Sequence, residues 1–209
     1  MARKSNFFKR RTVNIDITHI CALQCPRCQR QLWFRDHSKK VRGEPLTLND
    51  FDKVAKHFTR YIDFEGTLSD PVHHPKFIDF LKICYDKKIF TEIHNASSTK
   101  SREWYIKAFK ANPQAKWMFS IDGLPKDSHK YRINQDGEKL FNIMVEGTKY
   151  LEITPIWQYI VFSYNEHTIE EAKALANKHG IDFYLMQSSR WLGYDDPYIP
   201  SEKYRLNPK

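Results

Sequence analysis

Three thiols fall within one short stretch, Cys21-Ala22-Leu23-Gln24-Cys25-Pro26-Arg27-Cys28. Their spacing would suit one face of a helix, but Pro26 lacks an amide donor and clashes with the preceding turn, so the stretch is a loop. A loop lets the sulfurs converge, and converging thiolates are a donor set for a metal or an iron-sulfur cluster. Structural zinc needs a fourth ligand, which His19 or His37 could supply. A cubane held by three protein thiolates keeps one iron open for a substrate. A disulfide staple is the third reading that the cysteines leave open. Cys84, the only other thiol, recurs with Phe77, Phe80 and Leu81 at helical spacing, which predicts a core position.

The elements around the loop must hold it at a strand end, where α/β folds place their chemistry. The alternation over Val13, Ile15 and Ile17 predicts a strand through Thr18, directly before the cysteines. Gln29 to Leu46 is long and polar, carries Trp33 and Phe34, and is expected to cover the loop. Thr47-Leu48-Asn49-Asp50 opens a helix as a capping box, and Tyr61 to Phe64 is a second strand. Helices around Phe80, Trp104, Ile143 and Thr168 to His179 then alternate with strands at Ile89 to Ile93, Trp117 to Ile121, Ile156 to Phe162 and Ile181 to Met186. Such alternation gives a parallel sheet, and six βα units give an incomplete (β/α)6 barrel. The expected organisation is a basic arm over residues 1–11, the partial barrel over 12–190 and an irregular tail over 191–209.

At 209 residues, 41% hydrophobic and 14% aromatic, the chain can build one real core. No apolar run reaches membrane-span length and no signal-peptide core follows the basic start, so the expectation is a reducing cytoplasm and no membrane partner. The formal charge of +9 suits a polyanion or an acidic protein partner. Together with three thiols beside His19 and His37, it makes a zinc-stapled nucleic-acid-binding module the alternative reading.

The spacing C-x3-C-x2-C resembles the signature of the radical SAM enzymes, and the resemblance runs through most of the chain. Phe64-Glu65-Gly66-Thr67-Leu68-Ser69-Asp70-Pro71 looks like the family's Gly-Gly-Glu-Pro loop, with Ser69 and Asp70 replacing the second glycine and the glutamate. His94-Asn95-Ala96-Ser97 resembles the Thr-Asn-Gly-Ser turn after the third strand. Phe119-Ser120-Ile121-Asp122-Gly123-Leu124, followed by Tyr131 and Arg132, is similar to a stretch that ends the fourth.

The resemblance implies a 4Fe-4S cluster on Cys21, Cys25 and Cys28, and S-adenosylmethionine as second cofactor. It puts Gly66, Ser69 and Asp70 at the methionine amino group, Asn95, Ser97, Ser120 and Asp122 along the ribose and methionyl end, and Arg132 on the carboxylate. Two departures stand out. Arg27 occupies a position often hydrophobic or aromatic in the family, and the fifth strand lacks the family's glycines, which leaves Gln158 as the adenine-side candidate. His73 and His74 are expected as loop residues. The resemblance further implies an electron donor such as flavodoxin or ferredoxin, and a large substrate, a peptide or protein first and a nucleic acid or phosphorylated small molecule second.

Overall fold

The computed structural model describes residues 11–37, 43–187 and 191–205. Six strands lie parallel in the order β1-β2-β3-β4-β5-β6, with the two end strands unjoined, so the sheet is an open partial barrel. They are β1 (Thr12–Asn14), β2 (Tyr61–Phe64), β3 (Phe90–Asn95), β4 (Lys116–Ser120), β5 (Ile156–Val161) and β6 (Asp182–Gln187). The helices are α1 (Gln29–His37), α2 (Leu48–His57), α3 (Phe77–Asp86), α4 (Arg102–Ala111), α5 (Gly137–Gly147) and α6 (Ile169–Lys178). The expected architecture is therefore the observed one. No helix among the described residues is long and apolar enough to cross a membrane.

Two expectations at the first unit are corrected. The strand predicted through Thr18 stops at Asn14, although the Ile15 amide still donates to the Asp63 carbonyl at 2.9 Å. Beyond that point Ile17 is buried and its carbonyl accepts from the Leu46 amide at 2.9 Å instead of from a neighbouring strand. The alternation thus reports burial correctly, while the ladder ends where the chain turns toward the cysteines. The second correction is that Gln29 starts a helix, with Leu32 N–H donating to the Cys28 carbonyl at 2.9 Å. Its sequence is too polar for helical periodicity to reveal it. Residues 38–42 of the expected cover, and nearly all of the basic arm, lie outside the described residues.

Alternation sorts the sheet into two faces. Ile62, Phe64, Ile93, Trp117, Phe119 and Trp157 point outward into the helix layer and are fully buried. Phe51 of α2 stacks on Phe80 of α3 with ring centroids 4.2 Å apart, and Phe109 of α4 meets Trp117 edge-on at 5.1 Å. Each such side chain contributes about 1.5–3 kcal/mol of burial, which makes this layer the rigid frame of the molecule. Cys84 of α3 sits wholly inside it, its thiol pushed up to about 11 by burial. The opposite face of the strands looks into the lumen.

Candidate active site at the mouth and lumen of the partial barrel

The cysteine loop is pinned from several sides. The Asp70 amide donates to the Ile20 carbonyl at 3.1 Å, the Gln24 amide to the Ile133 carbonyl at 3.1 Å, and Asn134 Nδ2 to the Ala22 carbonyl at 3.2 Å. The Ala22 amide donates to His73 Nε2 at 3.3 Å, so that nitrogen is the unprotonated one, in keeping with a pKa lowered by burial. His74 is likewise a buried loop residue, with Nδ1 accepting from the Lys76 amide at 3.0 Å. Cys21, Cys25 and Cys28 form no disulfide, and all three line one cavity of about 560 Å³. Burial, and then the nearby Asp70 carboxylate, push the Cys21 thiol up to about 12. Among the described residues no three His, Cys, Asp or Glu side chains stand close enough to share a single ion, and the His37 imidazole lies outside them.

The residues assigned from sequence divide into two groups. Gly66, Ser69, Asp70, Ser120, Arg132 and Gln158 line the cavity with the cysteines. Gly66 holds a left-handed φ of +64°, and a Cβ there would lie 2.5 Å from the Ser69 carbonyl oxygen, so the turn demands glycine. Ser69 Oγ donates to Asp16 Oδ1 at 2.7 Å. Asp70 is committed to the backbone: Oδ2 accepts from the Ala96 and Ser97 amides, each at 2.8 Å, and Oδ1 from the Val72 amide at 3.2 Å. It therefore knits the loops after β2 and β3, and burial raises its pKa against those three donors.

Asn95, Ser97 and Asp122, also expected at the ligand, are not among the residues that line this cavity, and each is engaged within the fold. Asn95 is an outward residue of β3, where Nδ2 donates to the Tyr105 hydroxyl at 2.8 Å and Oδ1 accepts from the Ser97 amide at 3.1 Å. The Ser97 hydroxyl is engaged with Thr99 Oγ1 at 3.0 Å. Asp122 is fully buried, accepting from the Ile160 amide at 2.9 Å and pairing with Arg132 Nε at 2.7 Å. Burial works against the Arg132 charge, but Asp122 and the Cys25 sulfur more than offset it and hold the pKa above its ordinary value. Asp122 thus aims a guanidinium at the cavity and does not line it.

Deeper in the lumen stands a group that sequence reasoning missed. Asp63, Glu92 and Lys116 are cross-strand partners on β2, β3 and β4, and His94 and Met118 form the next layer toward the cysteines. His94 Nε2 lies 3.3 Å from Glu92 Oε1 and 3.6 Å from Asp63 Oδ1. Lys116 Nζ and the Tyr61 hydroxyl also donate to Glu92, at 3.2 and 2.9 Å. The His94 hydrogen bond, with those of Tyr61 and Lys116, holds Glu92 down at about 2. Burial first, then Glu92 and Glu65, push Asp63 up to about 6. The signal was present in the sequence, because Glu92 and His94 alternate with Thr91 and Ile93 along a strand of a parallel sheet, where polar inward positions are costly unless used.

The segment packed on the cysteine loop comes from the far end of the chain. Arg27 Nε donates to Asp196 Oδ2 at 2.7 Å, and Tyr198 packs edge-on against Tyr131 with ring centroids 5.1 Å apart. Tyr198 also belongs to the small apolar cluster that includes Leu23, Cys25 and Phe162. The tail is a clasp, a function the sequence reading gave to the stretch after Cys28.

An open barrel of six parallel strands, with three thiols after the first strand facing a cavity at the strand ends, has the fold of the radical SAM enzymes. The sequence matches no family model and no curated protein. Solved structures that it resembles include SuiB of Streptococcus suis, at 13% identity and a TM-score of 0.69, covering 90% of this chain and 42% of that one. SuiB has also been solved bound to S-adenosylmethionine and to its precursor peptide SuiA. The anSMEcpe structure with bound AdoMet aligns at 11% identity and a TM-score of 0.67, covering 90% of this chain and 53% of that one. A radical SAM methyltransferase from Sphaerobacter thermophilus aligns at 14% and 0.61, covering 92% and 60%. At these identities the likeness establishes the fold, and the chain spans about half the length of the structures it matches.

Proposed function

We propose that the chain is a radical SAM enzyme, with a 4Fe-4S cluster on Cys21, Cys25 and Cys28 and S-adenosylmethionine (SAM) beside it. The observation that carries this reading is that three cysteines of one loop, none in a disulfide, face the same cavity as the buried Arg132 guanidinium. The thiols suit a cluster better than a zinc staple, because zinc draws its ligands onto one ion whereas a cubane spreads them over its corners. Held on Cys21, Cys25 and Cys28, the cluster would supply the single electron for reductive cleavage of SAM, the chemistry by which hydrogen would be abstracted from a substrate.

The chain's own residues bind, orient and exclude water. Arg132, held by Asp122, meets the methionyl carboxylate as a desolvated, charge-assisted donor. Gly66 and Ser69 shape the wall beside it, and Ser120 offers a hydroxyl to the ribose. Asp70 acts one step back, by fixing the loops after β2 and β3. Closure of the cysteine loop by Arg27, Asp196 and Tyr198 keeps water from the reactive centre.

The open gap between β1 and β6 leaves room for part of a large molecule, which favours a peptide or protein substrate. The peptide-bound form of SuiB is consistent with that choice. The basic surface suits an acidic electron donor of the flavodoxin or ferredoxin kind. The test is anaerobic reconstitution with iron and sulfide, followed by reduction in the presence of SAM. Iron and sulfide near four each per chain and release of 5'-deoxyadenosine are expected. Stoichiometric zinc without bound iron overturns the reading.

A further inference from the structure

The two edges of the sheet differ in kind. β1 pairs over three residues, whereas β6 keeps one regular register with β5 through all six of its own, from Asp182 opposite Ile156 to Gln187 opposite Val161. Natural sheets blunt an edge with proline, lysine, a bulge or a very short strand, because unpaired backbone invites another chain. β1 is short in that way. Beyond the charge of Asp182 at its first position, Asp182-Phe183-Tyr184-Leu185-Met186-Gln187 carries none of these devices.

The register fixes which backbone groups of β6 are open. The Asp182 amide donates to the Pro155 carbonyl at 3.1 Å, and in a parallel ladder alternate residues serve the same neighbour. Asp182, Tyr184 and Met186 therefore serve β5, and the amides and carbonyls of Phe183, Leu185 and Gln187 face away from it. Those groups have no partner among the described residues, where β6 has no neighbour but β5.

The side chains of β6 are open on the same side. Phe183 and Leu185 pack into the helix layer, while Tyr184 and Met186 turn to the lumen and line the cavity with the cysteines. Tyr184 is 49% and Met186 39% exposed, although their partners in the ladder, Gln158 and Ile160, are buried. Parallel strands are normally covered on both faces. One absent neighbour, a further strand beside β6, accounts for both the open backbone and the open side chains.

We propose that β6 is the docking edge for the peptide substrate, which adds in extended form as a seventh strand. The backbone groups of Phe183, Leu185 and Gln187 hold its main chain, and Tyr184 and Met186 pack against its inward side chains, which are apolar. A strand so placed lies about 4.8 Å from β6, within the gap toward β1, and its residue beside Met186 stands nearer the cysteines than the one beside Tyr184. The edge opens directly onto the cavity of the cysteines, which favours a peptide over a second copy of this chain, because a paired copy would close that entrance. That the added strand is the substrate rests on the radical SAM reading, whereas the addition itself does not.

The experiment measures amide hydrogen exchange in the full chain by NMR, both as isolated and after reconstitution. The probe is an acetylated, amidated heptapeptide alternating threonine with valine. Its counterpart is N-methylated throughout, so that it keeps the side chains and loses the donors. The expected result with the first, saturating by about 5 mM, is that exchange at Phe183, Leu185 and Gln187 slows by about tenfold or more, while Tyr184, already bonded to β5, changes little. The N-methylated peptide should slow none of them. Leu185→Pro removes one outward donor without touching the ladder to β5, and in it Phe183 and Gln187 should no longer respond to the probe. Amides of Trp117 and Phe119 report that its barrel is intact, and if they do not, the two peptides on the parent chain decide alone. Equal slowing by both peptides, no slowing at about 5 mM, an unchanged response in Leu185→Pro, or protection that rises with protein concentration when no peptide is present overturns the proposal. Failure to hold iron or to cleave SAM bears only on the radical reading, because exchange is read in the isolated chain as well.

Discussion

Arg27 and Asp196 are 169 residues apart in sequence and 2.7 Å apart in space, and their ion pair fastens the tail to the loop that carries the cysteines. The Asp196 carboxylate also accepts from the Leu192 and Tyr198 amides, at 2.8 and 3.0 Å, so one side chain organises both partners. The Arg27 guanidinium further lies 5.5 Å from the centroid of the Tyr198 ring. The cation at this position thus brings an aromatic ring of the tail onto the cysteine loop.

Asp196→Ala is therefore expected to release the clasp without unfolding the barrel. The loss is on the order of 1–3 kcal/mol locally, since a charged hydrogen bond and two amide contacts disappear. Hydrogen exchange at Leu192 and Tyr198 should quicken by about tenfold to a hundredfold, while amides of β3 and β4 stay as they were. Unchanged exchange at both positions would show that the tail is held by its aromatic contacts alone.

The four cysteines should separate cleanly. Alanine at Cys21, Cys25 or Cys28 removes a proposed ligand, and reconstituted iron should fall to a small fraction of the parent's. Cys84→Ala should keep its iron and cost about 1 kcal/mol in urea unfolding, from the small void left in the helix layer. Iron retained in any of the first three variants would break the proposed ligand set.

Asp122 and Arg132 form a buried pair, with side chains 0% and 9% exposed. Removing one member strands the other, so Asp122→Ala should destabilise by about 3–5 kcal/mol. Arg132→Gln should weaken SAM binding by more than it weakens the fold, because the arginine faces the cavity and the aspartate does not. Equal losses of binding in Asp122→Asn and Arg132→Gln, with no loss of stability in either, would mean that both contact the ligand directly.

Much of this arrangement was legible beforehand. The order of elements follows from alternating periodicities, because each outward strand residue and each helix face must bury apolar surface. The cavity-lining residues Gly66, Ser69, Arg132 and the cysteines follow from motif resemblance. Strand parity was the lapse at the third strand. Asn95 matched a family turn and was assigned to the ligand, yet it shares the outward face with Ile93, while Glu92 and His94 on the other face were passed over. The Arg27–Asp196 clasp was illegible in principle, since nothing local in either segment encodes a contact at that separation.

The Asp63 and His94 pair in the lumen makes a prediction about stability. Asp63 has a folded-state pKa of about 6 against an ordinary 3.8, with burial as the main cause. The folded chain thus holds this proton more tightly than the unfolded one, so the group's contribution to stability declines as pH rises from about 4 through 6 and is then constant. His94 runs in parallel: burial disfavours its charge, but Glu92 and then Asp63 outweigh burial and raise its pKa, so its stabilisation is also lost on the alkaline side. At about pH 8, well above the Asp63 pKa of about 6, Asp63→Asn should be more stable than the parent. The gain should be about 1 kcal/mol after allowance for solvent screening and for His94 beside the carboxylate, or roughly 2–4 °C in Tm. Near pH 4 both side chains are neutral and the advantage should vanish. An advantage that does not change with pH, or a variant less stable at pH 8, would show that Asp63 is already satisfied by the fold.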